Sequence, residues 1–135
     1  MFTKPARILV IDDEEVIRRV LVAWLHRWGH DAIEAASAPA GLILMQEKPA
    51  DILIVDLFMP AYTGLWMIER VRQRWPFTSI ILASGADETT VQNATQQYGA
   101  INFVPKPFGR ETIHQAVARA MESRAPSPTP DPSRG

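Results

Sequence analysis

At 135 residues the chain can bury one sizeable core but not two, and with 47% apolar and 21% charged residues it has the make-up of a folded globular domain. A net charge of −1 lacks the basic excess of a nucleic-acid or anionic-membrane binder, so direct nucleic-acid binding by this segment is not expected. The absence of cysteine excludes disulfides, thiolate metal sites and cysteine nucleophiles, which leaves oxygen and nitrogen ligands for any chemistry.

The chain opens on "RILVID" (7–12), a predicted strand, followed by "EEVIRRVLVAWLHRW" (14–28), a predicted helix. In it Val16, Ile17, Val20, Leu21, Trp24, Leu25 and Trp28 recur at three-to-four spacing, and Gly29 supplies the stop. "DAIEA" (31–35) reads as a weak strand, and Ser37 as the cap of a helix over "APAGLILMQEK" with Pro39 in its first turn. "DILIVD" (51–56) is a continuous apolar run of the kind shown by a strand buried on both faces. A helix over 65–75 is ended by Pro76; "TSIILAS" (78–84) is a further buried strand, and 87–99 a helix with few apolar positions. "INFV" (101–104) is the last strand, and Pro105 places it at a sheet edge because proline cannot donate into a central ladder. "RETIHQAVARAMESR" (110–124) closes the domain as a helix with Ile113, Ala116, Val117, Ala120 and Met121 on one face.

Five β-α units joined by short connections predict a doubly wound parallel sheet with helices on both sides. The domain is expected over 1–124. Residues 125–135, "APSPTPDPSRG", with four prolines in eleven residues, read as a linker or disordered tail, and a C-terminal output domain beyond it stays open. No apolar run approaches the roughly 18 residues of a membrane span, and "VIDDEE" puts acids where a signal peptide needs its cleavage site, so a cytoplasmic location is expected.

Sites in open α/β sheets form beyond the carboxyl ends of the strands. Here the first strand ends in Asp12, Asp13 and Glu14, the third in Asp56 and the fourth in Ser84; Lys106 directly follows the fifth. In a flavodoxin-like strand order of 2-1-3-4-5, Asp12, Asp13 and Asp56 converge. Carboxylates about 4 Å apart repel by about 4 kcal/mol at an effective dielectric near 20, so the trio calls for a hard cation such as Mg²⁺. The set suits phosphoryl transfer to a carboxylate, with Asp56 as nucleophile, the metal and Lys106 neutralising the transferring group, and the Ser84 hydroxyl donating to the product. Taken singly, an acid after a strand is a helix cap, Lys106 a solvated charge and Ser84 a turn residue. Their coincidence at one edge of the sheet favours the chemical reading.

At these residues the sequence resembles the receiver domain of two-component response regulators, chemotaxis regulators among them. The resemblance rests on "VIDDEE", "VDLFMPAYTG", "ILASGA" and "FVPKPF" and covers residues 7 to 122. It implies the 2-1-3-4-5 sheet with five helices, Mg²⁺ (or Mn²⁺) dependence, and phosphorylation of Asp56 by a sensor histidine kinase or a histidine phosphotransfer protein. It implies direct metal binding by Asp13, water-mediated binding by Asp12, and the backbone carbonyl of Phe58 as a further ligand. Ser84 would sense the phosphoryl group, Lys106 would pair with it, Lys106–Pro107 would be cis, and Phe103 would turn inward as Ser84 moves. Such a protein catalyses only its own phosphorylation and dephosphorylation. Phe58 and Ala86 are apolar and cannot orient an attacking water, so a phosphoryl lifetime that is not especially short is expected. "YGAINFVPKPF" offers no charge besides Lys106, which disfavours a charge-laced dimer through the fourth helix, fifth strand and fifth helix, while a phosphorylation-dependent dimer stays open. The segment looks closer to nitrogen-regulation or nodulation-type receivers, or to receivers attached to sensor kinases.

Three other readings compete. A haloacid-dehalogenase-type phosphohydrolase needs a second acid at the position of Phe58. A flavodoxin needs a phosphate loop where "DDEEV" would repel phosphate. An interaction-only receiver is disfavoured because no site residue is missing. Two apolar runs, 42–45 and 65–68, each sweep most of a helix circumference, so at least one residue in each must point away from the sheet.

Overall fold

The computed structural model describes residues 5–99 and 101–123; the proline-rich stretch 125–135 lies outside them. The elements follow in strict alternation: β1 (Arg7–Ile11), α1 (Glu15–Arg27), β2 (Asp31–Ala35), α2 (Ala38–Glu47), β3 (Ile52–Val55), α3 (Gly64–Arg74), β4 (Ser79–Ser84), α4 (Glu88–Tyr98), β5 (Asn102–Pro105) and α5 (Arg110–Ser123). All pairings are parallel and the sheet order is β2-β1-β3-β4-β5, which makes β5 an edge and accommodates Pro105. β3 sits at the centre with all four residues buried, as its uninterrupted apolar run requires.

Side chains alternate across the sheet, so each strand feeds two cores. Ile8, Val10, Ile52, Ile54, Ile81 and Val104 meet Leu21 and Leu25 of α1 and Ile113, Val117 and Ala120 of α5. On the other face Leu9, Ile11, Leu53, Val55, Ile80 and Leu82 meet Met45 of α2, Met67, Ile68 and Val71 of α3, and Val91 of α4. Each fully buried Leu or Ile side chain contributes about 1.5–3 kcal/mol of transfer free energy, which is what ties the helices to the sheet.

The helix ends follow local chemistry. Ser37 accepts from the Ala40 amide and Asp87 from the Thr90 amide at 2.7 Å, so both serve as N-caps. α1 stops in paired bonds from Gly29 N to His26 O and His30 N to Leu25 O, each 3.0 Å, with Gly29 at φ +91°. The apolar stripe of α1 is wider than its contact with the sheet. Leu21 and Leu25 are buried, whereas Val16 is 75% and Val20 37% exposed. Of the two apolar runs, the first leaves Ile43 56% exposed; in the second, Trp66 lies half-buried against the Tyr62 ring at 4.8 Å, with the Arg70 guanidinium 3.9 Å from its centroid. No helix among the described residues is long and apolar enough to cross a membrane.

Candidate functional site

The ladder itself assembles the cluster. β1 pairs β3 with Ile11 opposite Val55, so the next residues, Asp12 and Asp56, leave the sheet side by side, and the Asp56 amide donates to the Ile11 carbonyl at 3.1 Å. β5 lies against β4, and the Lys106 amide donates to the Ser84 carbonyl at 2.9 Å, which fixes the lysine beside Ser84. The Lys106–Pro107 bond is cis.

From that position Lys106 reaches across the strand ends. Its Nζ donates to Asp12 Oδ2 at 2.8 Å and to Asp56 Oδ2 at 2.9 Å. Both acids are buried, at 2% and 6% exposure, so the lysine meets them in a low-dielectric setting. Burial by itself pushes the Lys106 ammonium down, but the hydrogen bonds and charges of Asp12 and Asp56 outweigh it and hold the group above the ordinary lysine value. Sequence reasoning placed the lysine opposite Asp56; the structure adds Asp12 as a second partner.

Each carboxylate has further support. Asp56 Oδ1 accepts from the Phe58 amide at 3.1 Å, and Asp12 Oδ1 accepts from the Glu14 amide at 2.9 Å. Glu14, the N-cap of α1, makes no side-chain cap bond, so the capping alternative does not account for it. Carboxylate oxygens of Asp12, Asp13 and Asp56 lie within 4.8 Å of one another, with Asp13 exposed at the mouth. Three negative charges against the single ammonium leave an excess of two, the charge of one divalent cation. An all-oxygen trio of this charge fits a hard dication such as Mg²⁺.

Ser84 is fully buried at the end of β4, where its Oγ accepts from the Ala86 amide at 3.3 Å and keeps its own proton to donate. Phe103 is half-buried in β5 opposite Leu82 and packs on the core of the α2–α4 face. The Phe58 side chain is 59% exposed. The loop after Asp56 is held close by Gly64. A Cβ there would strike the Asp56 carbonyl and stand 2.8 Å from Leu57 Cα, while the Gly64 amide donates to Leu57 O at 2.9 Å. Gly64 is needed for space at the first turn of α3. In the same loop Ala61 takes φ +66° inside a turn closed by Tyr62 N to Pro60 O at 2.8 Å.

Two features escaped sequence reasoning. Arg18 donates to the Asp12 carbonyl at 2.9 Å and to Glu34 at 3.0 Å, bracing the β1–α1 turn. Beside Lys106 an open apolar groove of about 400 Å³ is lined by Val16, Ile17, Val20, Trp24, Pro107 and Phe108, which explains why α1 carries more apolar residues than the sheet buries.

Against known families, the model described as the response regulator receiver domain matches residues 8–118. The DNA-binding transcriptional regulator NtrC of Azospirillum brasilense is 32% identical over 121 residues, covering 90% of this chain and 25% of that protein. The KDP operon transcriptional regulatory protein KdpE of Escherichia coli is 30% identical over 125 residues, covering 93% of this chain and 55% of KdpE. The chain thus spans a quarter to about half the length of these relatives. Among solved structures, the chemotaxis protein CheY4 of Vibrio cholerae superposes with a TM-score of 0.82 at 27% identity, covering 87% of this chain and 99% of that one.

Proposed function

This chain belongs to the response regulator receiver domain family, and from that premise we propose that Asp56 accepts a phosphoryl group from the phosphohistidine of a sensor histidine kinase or histidine phosphotransfer protein. The observation that carries the reading is the convergence of Asp12, Asp13 and Asp56 at the strand ends, with Lys106 bridging Asp12 and Asp56. An Asp56 oxygen forms a bond to phosphorus while the bond from phosphorus to the donor imidazole nitrogen breaks, and the electron pair leaves with the imidazole. Asp12, Asp13, Asp56 and the Phe58 carbonyl are the groups that would hold Mg²⁺, or Mn²⁺ in its place. Bound there, the cation supplies positive charge opposite the oxygens of the transferring group.

The chain's own residues do the rest. Lys106 moves its hydrogen bond from Asp56 Oδ2 to a phosphoryl oxygen, and the buried Ser84 hydroxyl donates to another. Ser84 begins the turn leading into α4, so its movement is passed to that helix and to Phe103, which turns inward. α4 buries only Val91 and Ala94, which suits an element that must shift. The apolar groove beside Lys106 offers the donor protein a docking surface. The chain catalyses its own phosphorylation and dephosphorylation and no other reaction. That its relatives are longer transcriptional regulators supports an output reached through a further domain or partner.

Acetyl phosphate with Mg²⁺, read by intact mass, tests the proposal. Wild type gains one phosphoryl mass, and both EDTA and Asp56→Asn abolish the gain. Equal labelling of Asp56→Asn would overturn the assignment.

A further inference from the structure

α4 is tethered differently at its two ends. Its N-terminal end hangs from the turn Ser84–Asp87, where Ser84 Oγ takes the Ala86 amide and Asp87 caps the first turn. Its C-terminal end is gripped from α3. Arg72 Nε donates to the carbonyl of Tyr98, the last residue of α4, at 2.8 Å, and one Arg72 terminal nitrogen donates to the Thr78 carbonyl, just before β4, at 3.1 Å. The guanidinium is half-buried in a polar cleft between α3 and α4 lined by Glu69, Gln73, Gln97 and Tyr98. A helix leaves its last carbonyls without intrahelical partners, so a charged donor there meets an acceptor that otherwise needs water. Gly99 at φ +92° then turns the chain away, its amide closing the last turn on Thr95 O at 2.9 Å. One planar side chain thus joins α3, the foot of β4 and the end of α4, in a helix that otherwise buries little.

We infer that Arg72 is the fulcrum of the switch: it pins the C-terminal end of α4 through Tyr98, so that movement at Ser84 becomes a tilt of the helix rather than a displacement of the whole. The inference rests on the phosphoryl-acceptor reading of Asp56 for what drives the tilt, while the pin itself exists without it. Arg72 touches neither the phosphoryl group nor the metal ligands and is therefore a positioning residue. Two hydrogen bonds from a fixed fork also distinguish it from a lysine, which offers a single point charge.

Hydrogen exchange resolved along α4 separates the two parts. Without ligand, Arg72→Met accelerates exchange at Gln97, Tyr98 and Gly99 by about tenfold or more while β1 and β3 amides keep their wild-type rates. Should Arg72→Met not accumulate as folded protein, Arg72→Lys gives the same pattern with a smaller acceleration. With Mg²⁺ and beryllofluoride, wild-type amides at 91–93 change more than those at 97–99, and in the variant both ends change together. Rates at 97–99 within about twofold of wild type in the ligand-free variants would overturn the pin. A response at Asp56–Phe58 with α4 changing uniformly in wild type would overturn the fulcrum alone. No response anywhere, Asp56–Phe58 included, would overturn the phosphoryl reading and the fulcrum with it.

Discussion

Replacing Lys106 with methionine removes the one ammonium that Asp12 and Asp56 share while keeping most of the side-chain volume. At contacts of 2.8 and 2.9 Å and an effective dielectric near 20, each pair holds about 6 kcal/mol of Coulomb attraction before desolvation is counted. Most of that offsets the cost of burying the charges. Removing one partner from a buried ion pair leaves a net loss of about 3–5 kcal/mol. With a urea slope of about 2 kcal/mol/M, the unfolding midpoint in EDTA falls by about 1.5–2.5 M. Saturating Mg²⁺ recovers part of the loss, because a cation at the trio replaces the missing charge, so the variant responds to Mg²⁺ more strongly than wild type does. The pH dependence has a fixed sign. The Lys106 value is raised in the folded state, so its contribution is present below the ordinary 10.5 and fades as pH rises through the folded value. The gap between wild type and variant therefore holds from neutral pH upward and narrows only above that point. The assay is urea unfolding followed by far-ultraviolet circular dichroism, with EDTA and with Mg²⁺. A variant midpoint within about 0.3 M of wild type in EDTA would refute the claim that the lysine holds a strained cluster of acids.

Other outcomes follow from the same geometry. Asp13→Asn removes one of three mutually repelling carboxylates, so without metal it raises stability by about 1 kcal/mol and at the same time weakens the stabilisation by Mg²⁺; equal Mg²⁺ responses would contradict its place in the trio. Ala61→Gly relieves a left-handed conformation that costs an L-residue about 1–2 kcal/mol, less glycine's own entropic cost of about 0.5–1 kcal/mol, so thermal unfolding moves to a higher temperature; a lower one would sink the strain argument. His30 is buried and its Nδ1 accepts from the Ala6 amide at 3.0 Å, which only the neutral ring can do. Burial, with the nearby charge of His114, lowers its pKa below the ordinary 6.5, so stability is full above that value and declines as pH falls below it. His30→Asn, which retains an acceptor for Ala6, gives a flatter profile between pH 7.5 and 5.5, and an unchanged slope would assign the acid sensitivity elsewhere.

The fold was legible because its signals are local. β3 announces itself by an unbroken apolar run, α1 by three-to-four spacing and a glycine stop, and β5 by the proline that restricts it to an edge. The site was legible because strand ends fall at fixed points in such a sheet, so acids 12, 13 and 56 and Lys106 could be placed together before any distance was known. Contacts made only by tertiary approach were not. Nothing near Arg72 signals that Tyr98 will end its helix within reach, and nothing near Lys106 signals that Asp12 will share it equally with Asp56. Val16 and Val20 share the three-to-four period of α1 yet lie exposed, because periodicity fixes a face without saying what covers it. The need for glycine at position 64 is likewise tertiary, since the carbonyl of Asp56 leaves no room for a Cβ.

Borohydride trapping tests the central claim most directly. Protein treated with acetyl phosphate and Mg²⁺ is reduced so that an aspartyl phosphate becomes homoserine, and its peptides are then sequenced by mass spectrometry. Homoserine is expected at position 56 and at no other acid of the cluster. Homoserine at Asp12 or Asp13, or an unreduced Asp56 in protein that has gained a phosphoryl group, would contradict it.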